Sequence, residues 1–252
     1  MKRRKVLEKK KAMEELMKEA SAVKDPISLF PQFRRFDRNG LSVYLESGIG
    51  EKLSSCMKGY IQTLLKINMA GLYGTEWQIE EKVKRREMVA AEARYIFARD
   101  ASTPKANEMS STGGKEENCT LWMGDGDSVV GFVQYRFLLE EEIPVIYVYE
   151  LQLEPCVQGK GLGIFLMQLI ELIAHQYHMS AVMLTVQKQN LHSMKFYISK
   201  LRYAISTTSP SKVGVEKNYE ILCKAFDREA KAKLEVYVPL ASQFLENFML
   251  NA

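Results

Sequence analysis

The apolar and polar positions of the chain follow two different periods, and each change of period predicts an element. Short branched and aromatic runs predict strands, whereas apolar residues three or four positions apart predict helices. The predicted strands cover residues 41–45, 94–98, 129–137, 145–153, 181–186, 203–205 and 219–222, and the predicted helices cover residues 53–73, 78–88, 162–178 and 190–201. Strands and helices interleaved in this way predict one mixed α/β domain with helices on both faces of a central sheet.

Three segments depart from this pattern and bound the domain. Residues 2–19 are rich in Lys, Arg and Glu and predict a solvated helix, which Asp25-Pro26 ends. Residues 101–119 are polar, without periodicity, and predict a mobile surface insertion. Residues 227–252 are charged and then apolar, and only 238–250 are a candidate docking helix. The chain therefore divides into a basic arm (1–24), a domain (25–226) and a tail of unassigned role (227–252).

The net charge of +4 is confined to the basic arm. Residues 1–20 contain eight Lys or Arg and four Glu, so the rest of the chain is neutral. A neutral body argues against a broad nucleic-acid-binding face. The arm itself has two interpretations that stay open: nuclear import or attachment to nucleic acid or the ribosome, and a charged segment that only aids solubility.

Cysteine spacing and hydropathy restrict the other function classes. The four cysteines are far apart and form no paired spacing, so neither a disulfide nor a zinc site is expected. No apolar run reaches transmembrane length, and the N-terminus has no signal-peptide core, so no membrane partner is expected. The cysteine usage fits a reducing compartment, and the expected location is the nucleus and cytoplasm.

Residues 147–173 carry the strongest functional pattern: a strand, a glycine turn and a helix. The turn is Gln158-Gly159-Lys160-Gly161-Leu162-Gly163. Free N–H groups and the helix dipole at such a turn form an anion site. A Walker loop is excluded because no Ser or Thr follows Gly-Lys, and a Rossmann fingerprint is excluded by Leu166. An ordinary strand–helix turn is the remaining alternative.

The Gln-x-x-Gly-x-Gly spacing of this turn resembles the pyrophosphate loop of the GCN5-related N-acetyltransferases. The resemblance implies their fold, in which two central parallel strands splay apart, with acetyl-CoA as co-substrate and no metal. It places the pantetheine arm in that gap and Tyr197 near the sulfur. The residues it implies for acetyl-CoA binding are Leu151, Leu153, Gln158, Gly159, Lys160, Gly161, Leu162, Gly163 and Asn190. Judged alone, Asn190 could equally cap a helix and Tyr197 could equally belong to the core.

Four longer motifs resemble the histone N-terminal acetyltransferases within this superfamily: Asp37–Leu41, Tyr147–Glu154, Val182–Val186, and Ser209–Ser211 with Tyr219–Leu222. The resemblance covers residues 25–226, apart from 101–119. It implies histone 4 and histone 2A tails that begin Ser-Gly-Arg-Gly as substrates. The implied substrate-binding residues are Tyr73, Trp77, Tyr147, Thr185, Tyr219 and Glu140, and the implied catalytic residues are Glu150, Tyr149 and Tyr197. Leu138 departs from the pattern, because a carboxylate is expected there.

The chemistry of an α-amine supports a modest catalytic apparatus. An α-amine is about one-tenth neutral at pH 7, whereas a lysine amine is neutral in fewer than about one molecule in a thousand. A carboxylate that accepts the proton through water is therefore sufficient, and Glu150 is the candidate base. Strict strand alternation places Glu150 opposite Tyr147 and Tyr149, so all three share a site only if the strand bulges. Packing alone could explain Tyr73 and Trp77, and a solvated loop could explain Glu140.

Two other functions remain open at this stage. An acetyltransferase of the same fold could modify a lysine or a small amine. A non-catalytic module could bind acyl-CoA or dock on chromatin. Release of coenzyme A with a Ser-Gly-Arg-Gly peptide separates an enzyme from a module, and the position of the acetyl group separates an α-amine from a lysine.

Overall fold

A computed structural model describes residues 2–101 and 128–236. The helices and strands in chain order are α1 (Lys2–Ala22), β1 (Arg35–Arg38), β2 (Leu41–Ile49), α2 (Ser55–Tyr73), α3 (Trp77–Met88), β3 (Arg94–Asp100), β4 (Val129–Glu140), β5 (Ile143–Leu153), α4 (Leu162–Gln176), β6 (Ala181–Gln187), α5 (Leu191–Lys195), a π-helix (Phe196–Lys200), β7 (Ala204–Ile205), β8 (Tyr219–Ala225) and α6 (Arg228–Leu234). The predicted insertion and the candidate docking helix fall outside these residues, except for Ala101.

The strands form one sheet in the order β1-β2-β3-β4-β5-β6-β8-β7. All neighbouring pairs are antiparallel except β5 and β6, which are parallel. The apolar side of α4 packs on one face of the sheet. Helices α2 and α3 pack on the other face over β3 and β4, and α6 packs there over β6 and β8. The predicted mixed sheet with helices on both faces is confirmed.

The parallel strands β5 and β6 separate part-way along their length. Their pairing runs from Val145 with Ala181 to Val148 with Leu184, and it stops there although both strands continue. The last residues of β5 therefore pair with β4 alone. This divergence opens a gap at the carboxyl ends of the two central strands, as the splayed fold requires.

Strand β5 contains one inserted residue, Tyr149, opposite β4. Its neighbours pair across the ladder, Glu150 with Gln134 and Val148 with Tyr135. The insertion is a bulge, which breaks strict alternation. Val148 and Leu151 therefore both contact the α4 side although they are three residues apart. Glu150 contacts α3 on the opposite side, the face on which Tyr147 also packs. The bulge that Glu150, Tyr147 and Tyr149 require in order to share one site is therefore present.

The basic arm is less separate from the domain than its charge indicates. The predicted helix is present, and its exposed part carries Lys9, which forms an ion pair with Glu229. Its last turns pack into the core, however, where Ala20 is 1% exposed. The guanidinium of Arg94 donates a hydrogen bond of 2.6 Å to the Ser21 carbonyl. Only the first part of the arm is solvated.

One expectation from the cysteines is wrong, since Cys156 is disulfide-bonded. Cys56 and Cys223 are free thiols. Across residues 2–101 and 128–236, no group of three or more His, Cys, Asp or Glu side chains is placed to hold a metal ion. None of the helices described here combines the length and apolar character that crossing a bilayer requires.

Candidate active site

A cleft of about 1410 Å³ opens where β5 leaves β6. The glycine turn and the start of α4 form one end of it. The end of α2 and one side of α3 form a wall, and the segment before β8 forms the opposite rim. The predicted site residues that line the cleft are Tyr73, Tyr147, Tyr149, Glu150, Leu151, Leu153, Gln158, Gly159, Gly161, Gly163, Thr185, Asn190, Tyr197 and Tyr219.

The glycine turn has the geometry of an anion site. Gly159 and Gly161 have φ values of +73° and +95°, which favour glycine because a side chain is strained there. Gly161 is the N-cap of α4, and no side chain caps this helix end. The first N–H groups of α4 are therefore available to an anion at the cleft. Asn39 braces the turn from behind by donating a hydrogen bond of 2.8 Å to the Lys160 carbonyl.

The members of the turn differ in what they face. Gln158, Gly159, Gly161 and Gly163 line the cleft. Leu162 is instead fully buried in the core, and Lys160 lies on the far side with Asn39. Lys160 and Leu162 can therefore bind an anion in the cleft only through their backbone groups, because their side chains do not line it. Gly163 packs close to Phe196, whose ring a Cβ atom would meet at 3.4 Å.

The backbone of β5 directs N–H and C=O groups toward the gap at alternate residues. The N–H of Glu154 donates a hydrogen bond to the Val130 carbonyl of the neighbouring strand β4. Because backbone groups alternate in direction along a strand, the N–H and C=O groups of Gln152 and Glu150 also point toward β4. The N–H and C=O groups of Leu151 and Leu153 consequently point toward the gap. This is where an extended ligand could add to the strand edge, as the resemblance implies for the pantetheine arm.

Two polar side chains already occupy part of this edge. The Leu153 carbonyl accepts hydrogen bonds from Asn68 at 3.1 Å and from Gln158 at 2.9 Å. Asn190 lines the cleft, but its Oδ1 accepts a hydrogen bond from the Ser193 N–H and caps α5. The helix-capping alternative for Asn190 is therefore present in the structure, and a contact with acetyl-CoA stays a prediction.

Two tyrosines stand where the strands diverge. The Tyr147 hydroxyl shares a hydrogen bond of 2.5 Å with Thr185 Oγ1 across the two strands. Its ring lies 5.5 Å from that of Tyr149, and the Arg136 guanidinium lies 4.3 Å from the Tyr149 ring. Burial raises the pKa of Tyr147 to about 12 and also raises the pKa of Tyr149. Both hydroxyls are therefore neutral near pH 7.

Glu150 is buried, and each of its carboxylate oxygens has a partner. Its side chain is 6% exposed, and Oε1 forms an ion pair with the Lys84 ammonium from α3. Oε2 accepts a hydrogen bond of 2.8 Å from Gln152. Burial disfavours the Lys84 ammonium, but attraction to Glu150, Tyr73 and neighbouring groups outweighs it and raises the pKa of Lys84. The cation is therefore a permanent part of the site.

Helix α3 turns an acidic side toward the cleft. Glu76, Glu80 and Glu87 lie at helical spacing with Lys84, and all four line the cleft. Burial raises the pKa of Glu87, and Asn218 on the opposite rim donates a hydrogen bond of 3.3 Å to Glu76. The sequence analysis did not identify any of these residues. The signal was present, since Glu80 and Glu87 lie in the predicted helix 78–88 and Glu76 precedes it at the same helical spacing.

Two predicted substrate residues are not brought to the cleft. Trp77 is 8% exposed and packs in the core between α2, α3 and the sheet, as the packing alternative stated. Its indole nitrogen is buried without a partner among the described residues. Glu140 lies at the end of β4, outside the cleft lining, where burial and Glu141 raise its pKa. Tyr197 does line the cleft and is carried by the π-helix.

The chain matches the Acetyltransferase (GNAT) family over residues 76–201, which is 126 of its 252 residues. This chain belongs to the acetyltransferase (GNAT) family. The matched residues run from the start of α3 to the end of the π-helix. They therefore include the acidic side of α3, the diverging strands and the glycine turn.

Solved structures of GNAT proteins align with the chain at low identity. PaiA N-acetyltransferase of Thermoplasma acidophilum, in complex with coenzyme A, is 18% identical over 72% of this chain and 99% of that one, with a TM-score of 0.46. Arabidopsis thaliana NAA60, with a bisubstrate analogue, is 12% identical over 73% and 99%, with a TM-score of 0.46. Arabidopsis thaliana Naa50, with the bisubstrate analogue CoA-Ac-MVNAL, is 16% identical over 72% and 99%, with a TM-score of 0.42.

As a GNAT acetyltransferase, the chain uses acetyl-CoA, which supplies the activated acetyl group. The residues present fit this co-substrate. The uncapped start of α4 offers N–H donors for a pyrophosphate, and Gly161 keeps the approach clear of side-chain atoms. The free edge of β5 offers backbone groups to the pantetheine arm.

Proposed function

We propose that this GNAT enzyme is an N-terminal acetyltransferase of the N-alpha-acetyltransferase D type. It would acetylate the α-amine of histone 4 and histone 2A tails that begin Ser-Gly-Arg-Gly. The observation that carries the proposal is the acidic side of α3 along the cleft, next to the tyrosine pair at the divergence of β5 and β6. A basic tail that enters along α3 meets carboxylates first and reaches the tyrosines with its amino end.

The acidic side of α3 supports a basic substrate through charge. Glu76, Glu80 and Glu87 are spaced over three turns, so they can follow an extended peptide for about 16 Å. Carboxylates on one wall of a cleft attract and orient cations. The arginine and lysines of a histone tail suit this wall, which compensates for Leu138 at the position where a carboxylate was expected.

The chemistry needs a neutral amine and a place for its proton. Tyr147 and Tyr149 are neutral hydroxyl groups that can orient the amine. Each oxygen of Glu150 keeps a lone pair beyond its present contact, so Glu150 can still accept a proton through a water molecule. Tyr197 also lines the cleft, and we assign it to orienting the thioester end. No covalent intermediate on the enzyme is required.

The decisive experiment locates the acetyl group. The full chain is incubated with acetyl-CoA and a Ser-Gly-Arg-Gly peptide extended by lysines, and the product is fragmented in a mass spectrometer. Acetylation of the α-amine alone is expected. A peptide with a blocked α-amine is the control and should stay unmodified. Acetylated lysines would favour the same fold acting on a lysine, and absence of transfer would favour a binding module.

We further propose that the enzyme acts in the nucleus and cytoplasm, where histones are made and used. The exposed start of α1, with Lys9, Lys10 and Lys11, supports a role in import or in attachment to the ribosome or nucleic acid. Fluorescence microscopy of the tagged chain should show loss of nuclear signal when residues 2–11 are deleted. An unchanged distribution would leave solubility as the role of these residues.

A further inference from the structure

The end of the cleft near the tyrosines holds a buried ammonium of the protein itself. The side chains of Lys84 and Glu150 are 12% and 6% exposed, and they form a direct ion pair. The Lys84 nitrogen also lies 5.6 Å from the centre of the Tyr73 ring. A carboxylate beside an aromatic ring is an ammonium-binding arrangement. In this cleft the arrangement is occupied by Lys84.

The other charged groups nearby do not replace this pair. Glu87 and Glu80 act on Lys84 or Tyr73 from α3 at longer range. Arg136 of β4 stacks on Tyr149 and donates a hydrogen bond to the Glu87 carbonyl. Toward β6, Tyr73 meets the neutral Gln187. Among the described residues, no carboxylate other than that of Glu150 lies within ion-pair distance of the Lys84 ammonium.

We propose that Lys84 is a positioning residue that makes the cleft select amines by charge, because its ammonium holds Glu150 and the incoming amine must enter uncharged. The inference rests on the proposed function and adds the source of its selectivity. A charged amine that shared Glu150 with Lys84 would place a second ammonium beside the first, and one that displaced Lys84 would leave a largely enclosed lysine without a counter-charge. A neutral amine imposes no such exchange.

The consequence is that the cleft can prefer α-amines without a shape that excludes lysine side chains. At pH 7 the neutral fraction of an α-amine exceeds that of a lysine amine by roughly two to three orders of magnitude. A cleft that admits only neutral amines therefore prefers α-amines over lysine amines by this ratio of neutral fractions. Lysines further along the same tail would remain charged and would be held by the outer carboxylates of α3.

The test compares two peptides of equal shape and different charge. The first is the Ser-Gly-Arg-Gly peptide with its α-amine trimethylated, which is a permanent cation. The second carries a carbon atom in place of that quaternary nitrogen, so its amino-terminal group is uncharged; it is called the neutral peptide below, although both peptides keep the arginine. Binding of each to the full chain with coenzyme A is measured by titration calorimetry. The variants are Lys84→Met, Lys84→Arg and, as the matched control, Lys82→Met, which removes an exposed lysine of the same helix outside the cleft.

Wild type should bind the neutral peptide at least about tenfold more tightly than the cation, since a tenfold difference corresponds to about 1.4 kcal/mol. Lys84→Met should lose or reverse this preference, whereas Lys84→Arg and Lys82→Met should keep it. The kcat of Lys84→Met should also rise more steeply between pH 7 and 9, because a bound amine would then be protonated. A merely structural lysine would change none of these ratios.

The inference is overturned if wild type binds the cation as tightly as the neutral peptide, a result that does not depend on any variant folding. It is also overturned if Lys84→Met behaves like Lys82→Met. Failure of the proposed function has a different signature, which is absence of α-acetylation in the mass-spectrometric experiment. The binding measurement needs no turnover, so the two failures are distinguishable.

Discussion

Removing the charge of Glu150 should destabilise the whole fold, because Lys84 would remain buried without its partner. The ion pair is almost fully enclosed, with side chains 6% and 12% exposed. Loss of one partner of a buried pair costs about 3–5 kcal/mol. For a protein of this size each kcal/mol corresponds to about 2–4 °C, so Glu150→Gln should lower the melting temperature by about 6–20 °C.

The stability lost in Glu150→Gln should shrink as pH rises. Glu150 and its neighbours raise the pKa of Lys84 above the ordinary lysine value. The stabilisation by the pair is therefore complete below the ordinary pKa of about 10.4 and is lost only as pH rises through the raised value. Wild type therefore changes little over this range, but in Glu150→Gln burial lowers the pKa of the unpaired Lys84, so its charge penalty declines as the side chain loses its proton. Urea unfolding of wild type and Glu150→Gln at pH 6, 7.5 and 9 should therefore give the largest difference in free energy of unfolding at pH 6 and the smallest at pH 9.

A double variant separates the effect of losing the Lys84–Glu150 ion pair from the effect of leaving one of its charges unpaired. Lys84→Met combined with Glu150→Gln replaces both charges by neutral groups of similar shape, which is often neutral or stabilising at buried sites. It should be more stable than Glu150→Gln alone. Glu81→Gln, which breaks the surface pair with Arg85, is the control and should cost under about 1 kcal/mol. The reasoning is refuted if Glu150→Gln matches this control, or if the double variant shows no recovery.

Three further perturbations test other parts of the cleft. Gly161→Ala should lower the free energy of unfolding by about 1–2 kcal/mol because its φ is positive, and it should also weaken coenzyme A binding. Gly214→Ala, also at a positive φ, should lower stability without changing this binding. Urea unfolding measures the stability, and calorimetry measures the binding. Tyr147→Phe removes the hydrogen bond to Thr185, so it should cost about 0.5–1.5 kcal/mol and raise KM for the peptide but not for acetyl-CoA in steady-state assays. Deleting residues 2–11 should leave turnover on short peptides unchanged, whereas a deletion that continues through the last turns of α1 should also lower the melting temperature.

Periodicity predicted the long elements because their apolar residues all serve one core. Helices α2 and α4 begin and end within two residues of the predicted bounds. Strand β1 was missed because Arg35–Arg38 has only one buried side chain and therefore shows no apolar alternation. Backbone pairing with β2, which the sequence pattern does not show, holds this segment as a strand. The π-helix was missed because it is a change of backbone hydrogen bonding within a continuous apolar pattern.

The site was predictable where backbone geometry depends on residue type and unpredictable where two elements meet. Glycines with positive φ mark the turn before α4 in the sequence itself. Lys84, by contrast, is one of four basic residues in α3, and its sequence context does not distinguish it from the exposed Lys82. Only the packing of α3 on β5 identifies the lysine that meets Glu150.

One inserted residue accounts for both the gap and the position of Glu150. A bulge bends its strand and increases the local twist. Tyr149 is the inserted residue, and pairing of β5 with β6 ends at the preceding residue, Val148. The bend therefore coincides with the divergence of the strands. In strict alternation from Val148, Glu150 would face α4 and place a carboxylate in an apolar layer, where its burial would be costly. The bulge instead turns Glu150 toward Lys84, so the opening of the acetyl-CoA gap and the assembly of the charged end of the cleft have a common structural origin.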